Sequence, residues 1–139
     1  MKVLFVCTGN ICRSPMAENI FNNIELREKK GHTAKSAGIY AETLLEMSPN
    51  AKLALKKIKE RCFHIKPTQF TPAMLGEYDL IVCMTKRHQE QIGSYDNVKT
   101  LDELADCGDV LDPYGADLKT YVVVAKQLKS ALAKLYEKL

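Results

Sequence analysis

The sequence lacks several features that mark common classes of protein. No apolar run approaches the roughly 20 residues that a membrane-spanning helix needs, and the run Val3–Val6 is too short for the core of a signal peptide. The five cysteines are odd in number and contain no Cys-x-x-Cys pair, and the three histidines stand apart from one another. These absences argue against a disulfide framework and against zinc, and they predict reduced thiols in a cytoplasmic protein.

Signals for charged partners are equally sparse. The 20 basic and 17 acidic residues give a net charge of +3, and no basic stripe with interleaved aromatic residues is present. The Gly-x-x-x-x-Gly-Lys-[Ser/Thr] pattern of a nucleotide-binding loop is also missing. We therefore expect no nucleic-acid or membrane partner and no metal or organic cofactor. With 139 residues, 46% of them apolar, the chain fits one globular domain over residues 1–139.

Short apolar runs alternate with amphipathic stretches along the chain. The apolar runs predict four buried strands, at residues 2–6, 33–38, 79–84 and 97–100. This alternation indicates an α/β fold, in which a parallel sheet is covered by helices on both faces. In such folds the functional site lies at the carboxyl ends of the strands.

Caps and apolar spacing predict the helices. Ser14-Pro15 and Ser48-Pro49 each pair a good N-cap with a proline suited to the first helical turn. A short helical turn is predicted near Thr71-Pro72, and a polar helix over residues 86–93. The helix after Ser48 has one apolar face, formed by Ala51, Ala54, Leu55, Ile58 and Cys62. The last helix has the clearest stripe: Leu118, Tyr121, Val122, Ala125, Leu128, Leu132 and Leu135.

The segment Cys7–Arg13 joins the first strand to the first helix and has the sequence Cys-Thr-Gly-Asn-Ile-Cys-Arg. Helix N-termini and loops with inward-pointing amides bind oxyanions, because their N–H groups lack partners. Gly9 and Asn10 are the residue types that best tolerate the left-handed backbone of such a loop. Arg13 adds a planar pair of donors suited to two phosphate oxygens. The segment therefore predicts a phosphate site.

Cys7 stands at the start of this predicted site. A free thiol is mostly protonated at neutral pH, and nearby amides and an arginine would stabilise its reactive thiolate form. The hydroxyl of Ser14 is a candidate for a further hydrogen bond to the sulfur. A cysteine at the end of a buried strand is more often a packing residue. Here, however, an arginine follows after five intervening residues and Ser-Pro comes next, and this combination favours a nucleophile.

The stretch Val6–Pro15 resembles the Cys-x5-Arg-Ser signature of low-molecular-weight protein tyrosine phosphatases. Two further segments match in order, Ser36-Ala37-Gly38 and Asp112-Pro113-Tyr114. The resemblance spans essentially the whole chain. It implies a three-layer α/β domain with a four-stranded parallel sheet in the order 2-1-3-4.

The resemblance also implies roles for individual residues. Cys7 would attack phosphorus and carry a covalent phosphate, while Arg13 would bind the phosphate oxygens. Asp112 would protonate the leaving oxygen and then activate water, and Asp109 is the alternative acid. The remaining phosphate-binding positions lie in the same loop: Thr8, Gly9, Asn10, Ile11, Cys12 and Ser14.

The walls of the pocket decide the substrate. Ile11 resembles the apolar wall of tyrosine-specific members and Tyr114 the aromatic wall, and Tyr40 is a candidate for the opposite side. A deep slot favours phosphotyrosine, because phosphoserine is too short to reach the sulfur. Gly115 after Tyr114 resembles a bacterial subgroup that includes protein-arginine phosphatases, which carry threonine where Ile11 stands. We therefore predict phosphotyrosine as the substrate, with phosphoarginine as the alternative.

Cys12 has two open interpretations. In the family that the chain resembles, a second cysteine in the loop can form a reversible disulfide with the nucleophile. Such a thiol would trap an oxidised Cys7 before the damage became irreversible. Equally, Cys12 fits a residue that only packs behind the loop.

Two other functions remain as alternatives to a monomeric phosphatase of phosphoproteins. Thioredoxin-coupled arsenate reductases share the fold and the loop, but they need a close pair of further cysteines. Cys83 lies in a suggestive region, yet residues 84–106 contain no cysteine and the spacing of Cys107 does not match. A non-enzymatic phosphate-binding or redox-sensing module would be expected to lose one of the three catalytic residues, and all three are present.

Overall fold

The computed structural model describes residues 1–139 and contains four strands and six helices. The strands are β1 (Lys2–Cys7), β2 (Thr33–Gly38), β3 (Leu80–Cys83) and β4 (Val98–Thr100). The helices are α1 (Arg13–Glu28), α2 (Pro49–Lys57), α3 (Met74–Glu77), α4 (Lys86–Ile92), α5 (Leu101–Ala105) and α6 (Leu118–Glu137).

The four strands form one parallel sheet in the order β2-β1-β3-β4, as predicted. β1 is central, with Cys7 opposite Gly38 of β2 and Val6 opposite Cys83 of β3. The chain leaves β1 toward β2 on one side and later returns to β3 on the other. The loop after β1 therefore lies where the direction of connection reverses, which is where open α/β sheets bind ligands.

The two faces of the sheet are covered unequally. On β1, Val3 and Phe5 point into a core of 29 buried residues beneath α1, α2, α5 and α6. Leu4 and Val6 point into a core of only six buried residues on the other face, where α3, α4 and the chain around Phe70 cover the sheet. Alternate residues of a strand face opposite sides, so this division confirms the predicted three layers.

The first helix begins two residues earlier than predicted. We predicted Ser14 as its N-cap, and this was wrong: α1 starts at Arg13, with Cys12 in the N-cap position and no side-chain cap. The Ser14 hydroxyl lies 2.9 Å from the sulfur of Cys7 instead, and so it is directed toward the end of β1. Pro15 still falls in the first turn, where an amide hydrogen has no helical partner.

Helix α2 ends before Cys62, which the apolar spacing had placed on its buried face. Lys59 adopts a left-handed conformation with φ of 60°. The amide of Glu60 donates to the carbonyl of Leu55 at 2.8 Å, and that of Lys59 donates to Lys56 at 3.0 Å. This pair of bonds is a Schellman motif, which terminates helices. The prediction for Ser48 is confirmed, since its hydroxyl caps α2.

Helix α5 was not predicted, although the sequence carries its signal. Thr100 and Glu103 form a capping box, in which each side chain accepts from the backbone amide of the other residue. The helix is only five residues long, and an apolar stripe is hard to recognise at that length. None of the six helices combines the length and the apolar character that crossing a bilayer requires.

Candidate active site

A cavity of about 150 Å³ opens at the carboxyl end of β1. It is lined by residues of the loop after β1, by Glu42, and by two residues that precede α6. The lining comprises Cys7, Thr8, Gly9, Ile11, Cys12, Arg13, Glu42, Asp112 and Tyr114. The structure thus brings the predicted nucleophile, arginine and acid together, although about a hundred positions separate Asp112 from the loop.

The loop after β1, residues 7–13, is held from outside by the segment of residues 39–48. Four carbonyl groups of the loop accept hydrogen bonds from amides of that segment, at 2.8 to 3.0 Å. These carbonyls belong to Cys7, Thr8, Gly9 and Ile11. The C=O and N–H of a trans peptide point in opposite directions, and the chain has no cis peptide. The amides of Thr8, Gly9, Asn10 and Cys12 therefore face away from that segment.

The inward-facing amides of this loop donate no hydrogen bonds within the protein. None of the five amides from Thr8 to Cys12 donates to a backbone or side-chain group of the chain. They stand at the N-terminus of α1, whose dipole adds partial positive charge. The arrangement is that of a nest for a tetrahedral oxyanion.

Asn10 organises the interior of this loop. It has a left-handed backbone with φ of 58° and is fully buried. Its side-chain NH₂ donates to Ser14 at 2.8 Å and to Ser36 at 2.9 Å, and its side-chain oxygen accepts from the amide of Thr68 at 2.9 Å. Every polar atom of the side chain thus has a partner, which fixes the orientation of the amide group.

These bonds set the direction of the contact with Cys7. Because Ser14 Oγ accepts from Asn10, its own hydrogen is free to donate to the sulfur of Cys7, 2.9 Å away. Ser36 likewise accepts from Asn10 and donates to a carboxylate oxygen of Glu18 at 2.7 Å. Burial raises the pKa of Glu18. A continuous chain of hydrogen bonds therefore links Cys7 to a buried carboxyl group that the sequence analysis did not identify.

Two glycines permit the close approach of backbones around the loop. A Cβ on Gly38 would lie 2.6 Å from the carbonyl oxygen of Thr8 and 3.1 Å from the Cα of Ala41, so a side chain there would displace the loop. A Cβ on Gly9 would lie 3.2 Å from Cγ of Glu42. Gly9 does not adopt positive φ. Of the two residues predicted to supply left-handed backbone, only Asn10 does so.

Arg13 and Asp112 face each other across the cavity. The guanidinium of Arg13 is buried and donates to the carbonyl of Val110 at 3.2 Å. A second nitrogen of the same group lies 3.6 Å from Oδ2 of Asp112. The other carboxylate oxygen of Asp112 accepts from the amide of Tyr114 at 3.1 Å. Both side chains are thereby oriented, while that of Asp112 stays 57% exposed and open to the cavity.

Asp109, the alternative acid, has a different place. Its carboxylate accepts from the amide of Lys86 at 3.0 Å, at the start of α4. It does not line the cavity that contains Cys7, whereas Asp112 does. The geometry thus favours Asp112 over Asp109 as the proton donor.

Cys12 and Cys83, which the sequence analysis also considered, differ in their surroundings. Cys12 lines the cavity, and its sulfur lies 3.3 Å from the hydroxyl of Tyr121. Burial raises the pKa of the Cys12 thiol. Cys83 is fully buried in β3, and burial raises its pKa to about 12. A thiol in that position is poorly suited to relay a disulfide, which counts against the reductase alternative.

The predicted pocket walls are only partly brought together. Ile11 and Tyr114 line the cavity with Cys7, but Tyr40 lines an adjoining polar groove with Thr8 and Arg13. Glu42 occupies the wall of the main cavity instead, and no sequence pattern had indicated it. It is placed there by the hydrogen bond from its amide to the carbonyl of Gly9, a contact that depends on the tertiary fold.

His88 is a second residue that the sequence did not indicate. It is 3% exposed, and its Nε2 lies 2.9 Å from the hydroxyl of Thr8 in the loop. Its Nδ1 lies 2.9 Å from the hydroxyl of Thr85, which also caps α4. Eighty positions separate His88 from Thr8. No local pattern could have paired them.

Comparison with known proteins gives a consistent result. The family model described as low molecular weight phosphotyrosine protein phosphatase matches residues 2–139. A protein-arginine-phosphatase of Bacillus subtilis (strain 168) is 36% identical over 146 residues, covering 100% of this chain and 97% of that protein. The low molecular weight protein-tyrosine-phosphatase PtpB of Staphylococcus aureus is 36% identical over 150 residues, covering 97% and 96%.

A solved structure resembles the whole fold. The crystal structure of a low molecular weight protein tyrosine phosphatase from T. tengcongensis superposes with a TM-score of 0.94 at 38% sequence identity. The match covers 100% of this chain and 99% of that one.

Proposed function

The chain belongs to the low molecular weight phosphotyrosine protein phosphatase family, and we propose that it hydrolyses phosphotyrosine in proteins through a phosphorylated Cys7. The observation that carries the proposal is the loop around Cys7, whose free amides and Arg13 surround the space in front of the sulfur. A tetrahedral phosphate fits such a nest, and the same donors stabilise the thiolate that must attack it.

In the first step the sulfur of Cys7 attacks phosphorus, and the bond from phosphorus to the tyrosine oxygen breaks. The leaving oxygen takes a proton from Asp112. Phenolate has a pKa near 10, so this proton helps the bond to break, and a positioned acid typically contributes about 10²–10⁴-fold. Loop amides and Arg13 bind the three equatorial oxygens of phosphate through the transition state. Ser14 donates to the sulfur and so stabilises the thiolate before attack.

In the second step water attacks the phosphorus of the Cys7 phosphate. The Asp112 carboxylate, left without its proton by the first step, takes one from the water. The phosphorus–sulfur bond breaks, inorganic phosphate leaves, and the thiolate is restored with the hydrogen bond from Ser14. Asp112 returns to its protonated form, so the cycle closes without any cofactor.

The walls of the cavity support an aromatic substrate. Ile11 is 8% exposed and forms an apolar side, and Tyr114, which is 67% exposed, stands at the opening. A phenyl ring between them would carry its phosphate down to Cys7. A phosphoserine side chain is too short to span that depth.

Phosphoarginine is the second candidate. A relative at 36% identity is a protein-arginine-phosphatase. Glu42 places a carboxylate in the wall of the cavity, where it would attract the guanidinium of phosphoarginine. Ile11 acts in the opposite direction, since its apolar side chain offers that polar substrate no hydrogen bond. We rank phosphotyrosine first because Ile11 is buried in the wall of the cavity, whereas Glu42 is exposed and remains in contact with water.

The decisive experiment compares kcat/KM for phosphotyrosine and phosphoarginine peptides of one sequence. Wild type should prefer phosphotyrosine, and Ile11→Thr should shift the ratio toward phosphoarginine. Ile11→Val is the matched control, because valine keeps the branched shape without a hydroxyl and should leave the ratio near that of wild type. A wild-type preference for phosphoarginine would show that the assigned substrate is wrong.

We also propose that Cys12 protects the nucleophile. Peroxide would convert the Cys7 thiolate to a sulfenic acid, and attack by the Cys12 sulfur would form a disulfide and release water. The two residues line the same cavity, which supports the idea. Peroxide-treated wild type should recover its activity with dithiothreitol, and treated Cys12→Ser should not.

The setting of the enzyme is part of the same proposal. All five cysteines are free, as expected for a protein kept in the reducing cytoplasm. We propose that the chain acts there as a monomeric single domain on phosphorylated proteins. Size-exclusion chromatography with light scattering measures the mass in solution, and a dimer would contradict this assignment.

A further inference from the structure

We propose that His88 is a positioning residue of the phosphatase site, which holds the phosphate-binding loop in place through the side chain of Thr8. The inference rests on the proposed function, because it assigns His88 a part in binding the phosphate group.

His88 bridges two elements that meet at the carboxyl edge of the sheet. Its Nε2 lies 2.9 Å from Oγ1 of Thr8, and its Nδ1 lies 2.9 Å from Oγ1 of Thr85. The ring is buried, so neither nitrogen exchanges its partner for bulk water. Both ring nitrogens are used, and both bonds are side chain to side chain. The histidine therefore ties the first turn of α4 to the loop after β1.

The imidazole is neutral in this setting. Burial lowers its pKa to about 4, with the nearby charge of Arg13 acting in the same direction. A neutral ring has one donor and one acceptor nitrogen. The hydroxyl of Thr85 already accepts from the backbone amide of His88. We therefore assign Thr85 as the donor to Nδ1, which is the acceptor nitrogen of the ring. Nε2 then carries the ring hydrogen and donates to Thr8.

The two peptide units that flank Thr8 carry the inward-facing amides of Thr8 and Gly9. Its carbonyl accepts from the amide of Tyr40 at 2.9 Å on one side of the loop. His88 holds its side chain on the other side. With both sides held, the peptide units on either side of Thr8 cannot rotate freely, and the amides of Thr8 and Gly9 remain directed into the cavity. Without His88 the free loop would be more mobile, so it would lose more conformational entropy when it binds phosphate.

Kinetics and inhibition by inorganic phosphate test the assignment. We expect His88→Leu to weaken phosphate inhibition roughly three- to tenfold, the scale of one lost hydrogen bond. The KM for an aryl phosphate should rise by a similar factor, and kcat should fall less, because the amides contact phosphate in both the ground state and the transition state. His88→Gln should rescue most of the loss, since its amide group reaches the position of Nε2.

A double-mutant cycle separates a specific pair from general damage. Thr8→Val removes the hydroxyl and keeps the shape, so it should weaken phosphate binding as much as His88→Leu does. The double variant should lose no more than either single variant, because both remove the same bond. Additive losses would overturn the proposal. If His88→Leu does not fold, Thr8→Val decides alone, and unchanged phosphate inhibition in that variant would also overturn it.

A matched control distinguishes positioning from stability. Thr100 is a buried threonine that, like Thr85, caps a helix, here α5, but it lies outside the site. Thr100→Val should lower the melting temperature without changing phosphate inhibition. Failure of the proposed function would appear differently, as aryl phosphate activity that persists in Cys7→Ser. If Cys7→Ser abolishes activity but His88→Leu leaves phosphate inhibition unchanged, this inference is refuted and the proposed function stands.

Discussion

The turn after β1 and the turn after β3 leave neighbouring strands at the same edge of the sheet, and each leads into a helix. They use their amides in opposite ways. After β3, the hydroxyl of Thr85 accepts from the amide of His88, and Asp109 accepts from that of Lys86. After β1, no side chain caps α1 and the amides of the loop have no partner in the protein.

Other helices repeat the closed arrangement. Ser48, Thr100 and Asp117 cap α2, α5 and α6 with their side chains. The open end of α1 is thus the exception among the longer helices, and it lies beside the one arginine that lines the main cavity. Capping contributes about 0.5–2 kcal/mol to a helix. Helix α1 lacks this stabilisation, and its free amides are the ones that we propose bind phosphate.

Removal of the nucleophile should have the largest effect on the open turn. Cys7→Ser should lower kcat for aryl phosphates by roughly 10⁴-fold or more, because a serine hydroxyl is a far weaker nucleophile than a thiolate. Phosphate should still bind, since the amides and Arg13 are unchanged. Steady-state kinetics and calorimetry measure the two properties. Cys62→Ser, at a half-buried cysteine outside the site, should leave both near wild type.

Substitution of two aspartates tests the two turns separately. Asp112 faces the turn after β1, whose amides are free, and Asp109 accepts from an amide of the turn after β3. Asp112→Asn should lower kcat by about 10²–10⁴-fold for substrates with poor leaving groups, and much less for those that need no protonation. Asp109→Asn should have little effect, because asparagine also caps helices. A series of aryl phosphates with graded leaving-group pKa measures this. An equal loss across the series would contradict the role of Asp112.

His88 bridges the two turns and should make stability depend on pH. Burial and Arg13 lower its pKa from 6.5 to about 4. Between these values the unfolded chain binds the proton and the folded one does not, so stability is fully present above pH 6.5 and is lost as pH falls toward 4. This lowering of the His88 pKa corresponds to a loss of about 3 kcal/mol in the free energy of unfolding.

Urea titrations between pH 4 and 8 measure this loss. His88→Gln should remove it, whereas His64→Gln, at an exposed histidine, should retain it. Glu18 has a raised pKa and contributes in the opposite direction, so the comparison with wild type at each pH isolates His88. An unchanged slope in His88→Gln would contradict the assignment.

Bound phosphate should accept hydrogen bonds from the free amides after β1, and its effect on stability should be the smallest of those predicted here. At ten times its dissociation constant, inorganic phosphate should raise the free energy of unfolding by about 1.4 kcal/mol, because it binds only the folded protein. Arg13→Ala should abolish this gain, and Thr100→Ala should keep it while lowering the starting stability. Thermal denaturation at several phosphate concentrations measures the shift. The same gain in Arg13→Ala would place the anion site elsewhere.

Much of the fold was predictable because its signals are local. The apolar runs located all four strands to within one residue of the observed ends, and Ser48-Pro49 marked the start of α2. The end of that helix was not predictable, since Lys59 adopts a left-handed conformation that lysine has no strong preference for. The prediction of Ser14 as an N-cap was wrong because the tertiary fold directs its hydroxyl toward Cys7.

The residues of the site likewise fall into those with a local sequence signal and those without one. The loop from Cys7 to Arg13 could be recognised from the sequence, because a cysteine, an arginine and the start of a helix lie within a few residues of one another. The folded structure was needed to show that Asp112 rather than Asp109 faces the cavity, that Glu42 forms a wall, and that His88 contacts Thr8. Those contacts join positions far apart in the chain, and packing of the sheet and helices brings them together where no local pattern records the pairing.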